Sequence, residues 1–123
     1  MAEKLTEGGD IAKFQERLIE YRDARDWTEI YTPTTVAIAI AVDSMELVEM
    51  LQGASPEEVA EYIDTHKGEV SERLVEILSN VLIFARDQDI DLVDAFERVQ
   101  TENEAKYPVE KAKGNHIKYT ELK

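Results

Sequence analysis

Cysteine is missing from all 123 residues, which excludes disulfide scaffolds and thiolate metal sites. Proline and glycine are sparse, three and five, so a helix is forced to stop in few places. Positive charge is in short supply too: 14 Lys and Arg face 27 Asp and Glu, for a formal net charge of -13. A field of that sign repels phosphate polymers and anionic lipid surfaces, so neither a nucleic-acid polymer nor a membrane is expected as partner. A small phosphorylated ligand is still admissible where cations accompany it. The longest unbroken apolar run, Val36–Val42, is far shorter than the ~20 residues a spanning helix needs. No signal-peptide pattern opens the sequence, and the expectation is a soluble, cytoplasmic protein. Glycine-rich phosphate loops and nucleophile triads are also missing.

What is present is helical periodicity. Hydrophobic residues make up 43%, enough for a core in a chain of one-domain length. In IAKFQERLIEYRDARDW, Ile11, Phe14, Leu18 and Tyr21 recur at three- and four-residue spacing, with Asp10 as N-cap. Thr32 followed by Pro33 starts a second helix that runs to about Gln52 and stops at Gly53. Ser55-Pro56-Glu57-Glu58 is a capping box for a short third helix. Beyond Gly68 a long helix is predicted from Glu69 to Gln88, with Val70, Leu74, Ile77, Leu78 and Leu82 on its apolar side. Asp91 caps another, Leu92 to Lys106, which Tyr107-Pro108 ends; the polar stretch that follows reads as extended. No alternating strand pattern, internal repeat or linker is evident. The fold class predicted is all-α: a four-helix-bundle core in a single domain, 1–123, with an N-terminal extension (1–9) and a polar tail (109–123). Val36–Val42 is apolar on every side, more than such a bundle can cover, so a subunit interface is expected, most simply a dimer.

The acids are placed oddly for a solvated surface. Asp43 and Glu46 follow the apolar run directly and, three residues apart, share a helix face. Glu72 and Glu76 in VSERLVEIL share a face at four-residue spacing. Two such helices packed antiparallel would bring four carboxylates to one level, where like charges demand cations. Mg²⁺, an oxygen-seeking ion that bridges carboxylates to phosphates, suits that demand and would activate water against a phosphoanhydride. Acidic pairs at this spacing also arise on any solvated face of so acidic a chain.

The stretch YRDARDWTEIYTPTTVAIAIAVDSMELVEMLQ resembles the first half of MazG-like nucleoside triphosphate pyrophosphohydrolases, particularly the dCTP pyrophosphatase branch. DIDLVDAFERVQTENEAKYP and the closing NEAKYPVEKAKGNHIKYTEL resemble later parts of the same branch. The resemblance implies a helical bundle assembled as a homodimer or homotetramer. It implies Mg²⁺-dependent cleavage of a (deoxy)nucleoside triphosphate to monophosphate and pyrophosphate, as nucleotide-pool housekeeping. Metal ligands in the family lie in a Glu-x-x-Glu on one helix and a Glu-x-x-Asp on the next long helix. Carried over by position, the first pair falls on Asp43 and Glu46, the second on Arg73 and Glu76, with Glu72 supplying the adjacent acid. A one-turn slide would test Ile77 and Asn80 instead; it requires a gap and fits worse. The implied metal set is therefore Asp43, Glu46, Glu72 and Glu76, with Glu46, Glu72 and Glu76 as catalytic carboxylates.

A guanidinium cannot bind Mg²⁺, so Arg73 is expected either to compete for the carboxylates or to reach phosphate oxygens itself. On the last helix, the family's lysine, asparagine and tyrosine correspond to Val99, Asn103 and Tyr107, without the basic member. Asn103 and Tyr107 are the implied nucleotide contacts there, and Trp27 in RDW is the implied wall of the base pocket. The departures at Arg73 and Val99 keep an alternative in view: a catalytically degenerate homologue that binds nucleotide or only associates with itself.

Overall fold

The computed structural model describes residues 9–122. Among them every regular element is helical: α1 (Asp10–Ala24), α2 (Pro33–Leu51), α3 (Pro56–Thr65), α4 (Lys67–Asp87), α5 (Leu92–Lys106) and the single turn α6 (Val109–Ala112). Two 3₁₀ turns complete the set, Thr28–Ile30 and Tyr119–Glu121. The all-α architecture expected is the one observed. The N-terminal extension lies outside the described residues except for Gly9.

The helix starts are chemically explicit. The Thr32 hydroxyl accepts the Thr35 backbone N–H at 3.1 Å, and Pro33, which has no N–H to lose, opens α2. Ser55 and Glu58 cap α3 reciprocally, at 3.2 and 3.3 Å. The Asp91 carboxylate accepts the N–H groups of Val93 and Asp94, at 3.0 and 3.1 Å. Gly53, at φ 78°, carries the chain off α2 through a backbone conformation that disfavours a side chain. Two boundaries differ from expectation. Gly9 takes the cap of α1, leaving Asp10 in the first turn, where its charge meets the positive end of the helix. Helix α4 begins at Lys67, because His66 donates its N–H to Tyr62 as α3 ends and accepts that of Val70 as α4 starts. Gly68 thus sits in the first turn, where glycine interrupts nothing.

Two compact units follow, one ending at Asp89 and one beginning at Ile90, a division that no linker composition signals. In the first unit α4 is the central element, packed against α1, α2 and α3. Glu46 meets Arg73 and Asp43 meets Asn80, so α2 and α4 run antiparallel. Gln15 meets Leu82 and Arg22 meets Asp87, so α1 runs parallel to α4. Val36, Leu82, Ile83 and Ala85 form the buried apolar core.

Arg22 is buried with them, its side chain 6% exposed, and it donates to Asp87 at 2.6 Å and to Asp23 at 3.1 Å. Burial alone would pull the guanidinium's pKa down, but the hydrogen bonds and charges of Asp87 and Asp23 outweigh it and raise it. The pair clamps α1 to the end of α4.

The second unit is α5 with its C-terminal segment. That segment is less extended than its composition suggests: Tyr119 packs edge-on against Tyr107 at 6.1 Å, with the Lys106 ammonium 4.9 Å over its ring. No helix among the described residues is long and apolar enough to cross a membrane.

Candidate active site

The acids of α2 open onto α4, and what they meet there is a base. Arg73 uses one nitrogen, Nη1, for both carboxylates: it donates to Glu46 Oε2 in a close ion pair and lies 3.5 Å from Asp43 Oδ1. Asn80 donates from Nδ2 to Asp43 Oδ2 at 3.3 Å and to the Glu76 backbone carbonyl at 3.1 Å. Both acceptors face the same amide nitrogen, which fixes the orientation of the group. Asp43 therefore has one oxygen toward a guanidinium and the other toward an amide N–H. Its side chain is 14% exposed, against 25% for Arg73 and 46% for Glu46, so the cluster grows wetter toward Glu46.

Beside this cluster lies a groove of about 360 Å³. Trp27, Ile30 and Tyr31 line it together with Val36 and Ala39 of α2 and with Asn80, the residue that bonds to Asp43. The aromatic wall is braced from α1. The Trp27 backbone N–H donates to the Arg22 carbonyl, Tyr21 packs edge-on against the indole at 5.7 Å, and the Arg22 guanidinium lies 5.7 Å over Tyr31. An apolar, aromatic-walled groove that ends at charged groups suits a planar ring carrying a polar tail.

Glu72 and Glu76 are exposed, and neither side chain makes a hydrogen bond or ion pair with the cluster among the described residues. Glu72 instead borders a separate open hollow with Glu46, Glu49, Glu69 and Arg73. Arg73, not Glu72, faces Asp43. Asn103 and Tyr107 belong to the second unit, where the Tyr107 N–H donates to the Asn103 carbonyl at the end of α5. The residue that pattern reading ranked too low is Asn80. Its signal was position, since it lies seven residues, two helical turns, beyond Arg73.

A divalent cation is a poor fit to this arrangement. Mg²⁺ requires an octahedron of oxygens, whereas Asp43 and Glu46 are the two carboxylates that meet, and N–H donors already face them. Among the described residues no three Asp, Glu or His side chains are gathered closely enough to hold a metal ion.

No family model matches the chain. It is similar to dCTP pyrophosphatase 1 of Bos taurus, 28% identical over 105 residues that cover 84% of this chain, and to that of Mus musculus, 27% identical over the same length. The chain spans 62% of the length of these curated relatives. Among solved structures it is similar to a pyrophosphatase from Archaeoglobus fulgidus, with a TM-score of 0.76 and 32% identity over 80% of this chain and 92% of that one. The chain belongs to the MazG-like dCTP pyrophosphatase family. Within that family's fold, the α2–α4 seam of this chain carries Asp43 and Glu46 on one helix, with Arg73 and Asn80 opposite.

Proposed function

We propose that this chain acts on a (deoxy)nucleoside triphosphate, breaking the bond between its α and β phosphates to leave a monophosphate and pyrophosphate. The observation that carries the reading is the double position of Asn80, which lines the groove with Trp27 and also bonds to Asp43. A base between Trp27 and Tyr31 would direct its phosphates past Asn80 toward Arg73. The opposite approach to Arg73 is walled by Glu46, Glu49, Glu69 and Glu72, which repel an anion. A guanidinium prefers the paired oxygens of a phosphate as readily as those of a carboxylate. As Arg73 turns to the phosphates, Asp43 and Glu46 are released, and the wetter Glu46 is suited to accept the proton of the attacking water. Water supplies the oxygen that completes the monophosphate or pyrophosphate, and the anhydride oxygen leaves with the other.

A second reading is favoured by the same contacts. If Arg73 holds Asp43 and Glu46 through every ligand state, the chain binds nucleotide without turning it over. Pyrophosphate release from a panel of dNTPs, measured beside nucleotide binding and with either Mg²⁺ or EDTA present, separates the two. Release that disappears in Glu46→Gln supports hydrolysis; binding without release supports the second reading. Neither binding nor release removes both.

The assembly we propose is a homodimer, alone or paired into a tetramer. Within the first unit, Ile38, Val42, Met45 and Val48 of α2 stay exposed, which suits a chain that completes its core with a partner.

A further inference from the structure

The cluster between α2 and α4 is a place where two carboxylates need a cation, and the chain supplies one itself. Three features hold that cation against the carboxylates while no ligand is bound. A guanidinium is a cation fixed covalently to the chain, so it does not diffuse away as a metal ion can. It is presented from within α4, two turns from Asn80 on the same line of the helix, so the packing of α4 on α2 holds both groups against Asp43. Asn80 is tied by its nitrogen to the Glu76 carbonyl, so it offers Asp43 a donor and keeps its own oxygen turned away.

A metal ion entering this space would meet N–H groups where it needs lone pairs, and a fixed positive charge within the same cluster. To bind, it would have to expel Arg73 from both Glu46 and Asp43 and break the closest ion pair of the cluster. We infer that Arg73 is the built-in counter-ion of this site, and that Asp43 and Glu46 take no divalent cation. The substitution is of charge for charge: a covalently attached cation stands where carboxylates on both helices would require a mobile one. Whatever chemistry or binding the groove supports then uses no divalent ion held by Asp43 and Glu46.

The inference concerns metal alone and does not depend on which nucleotide the groove accepts. Mn²⁺ is a suitable probe, because bound and free ion are distinguished by electron paramagnetic resonance. The full chain should show only weak, non-saturating Mn²⁺ uptake, and Asp43→Asn should leave that uptake unchanged. The double variant Arg73→Glu with Asn80→Asp restores two carboxylates opposite Asp43. It should gain a saturable site of one ion per chain, tighter by at least about tenfold and lost again when Asp43→Asn is added. Two results would overturn the inference. One is a stoichiometric Mn²⁺ site in the unaltered chain that Asp43→Asn abolishes. The other is a folded double variant with no gain. Should the double variant fail to fold, the comparison of unaltered chain with Asp43→Asn decides alone. A chain that binds no nucleotide at all would remove the proposed function and leave this measurement intact.

Discussion

The Asn80 amide and the Asp43 carboxylate meet across the α2–α4 seam at 3.3 Å, and the same asparagine lines the groove that Trp27 lines. One side chain therefore couples the apolar part of the site to its charged part. Asn80→Asp tests that coupling directly. It sets two carboxylates against each other where Asp43 is nearly buried, with Arg73 as the remaining compensation. The expected cost is about 1–2 kcal/mol, read as a melting temperature lower by several degrees in EDTA. An unchanged melting curve would mean that Asn80 and Asp43 do not meet in solution.

Trp27 is the sole tryptophan, so its fluorescence reports on the groove without interference. Titration with dCTP, dTTP, dATP and dGTP is expected to quench it for whichever base is accepted. Trp27→Leu, which has no tryptophan left and is therefore followed by calorimetry, is expected to weaken that ligand by about tenfold, the scale of one lost stacking contact. Trp27 is 37% exposed and packs on Tyr21, so its removal also costs some stability, which equilibrium denaturation reads separately from affinity. Loss of stability with unchanged affinity would make Trp27 a packing residue only.

Arg22 and Asp87 give a prediction about stability and its pH dependence. Asp87→Asn leaves a buried guanidinium with the exposed Asp23 as its main partner, a loss of about 2 kcal/mol by equilibrium denaturation. The raised pKa of Arg22 means that the stability it contributes is fully present below the unfolded arginine value and lost only above the folded one. The difference between the two proteins should therefore stay flat from about pH 6 to pH 9, where carboxylates and arginine keep their charges. A difference that shrinks across that window would contradict the assignment.

How much of this was legible before the structure depends on the range of the interactions. The caps at Thr32, Ser55 and Asp91 are local, each satisfied within three residues, and their residue types announce them. The orientation of α4 is not local. Its apolar residues spread over a wide arc because it packs on α1 through Leu82 and on α2 through Arg73 and Asn80. Neighbouring residues on a helix differ by about 100°, so whether Glu72 or Arg73 faces Asp43 turns on which arc each partner takes. Periodicity alone cannot decide that, and the adjacent acid looked the better ligand on chemical type. Asn80 was undervalued for the same reason. Its role comes from a contact across 37 residues of sequence.

The apolar run that opens α2 yields the last prediction. Val36 is buried, but Ile38, Val42, Met45 and Val48 remain 49–58% exposed, and the first three follow the four- and three-residue spacing of a helical stripe. Leaving such a stripe in water forgoes roughly 1.5–3 kcal/mol for each large side chain that a partner could cover. Sedimentation velocity of the full chain is expected to give a dimer or a larger even assembly. Ile38→Lys with Val42→Lys should shift it to monomer with the helix content retained, since both side chains point away from the α1–α4 core. A monomer before substitution, or an assembly indifferent to both lysines, would show that this face of α2 is not where copies of the chain meet.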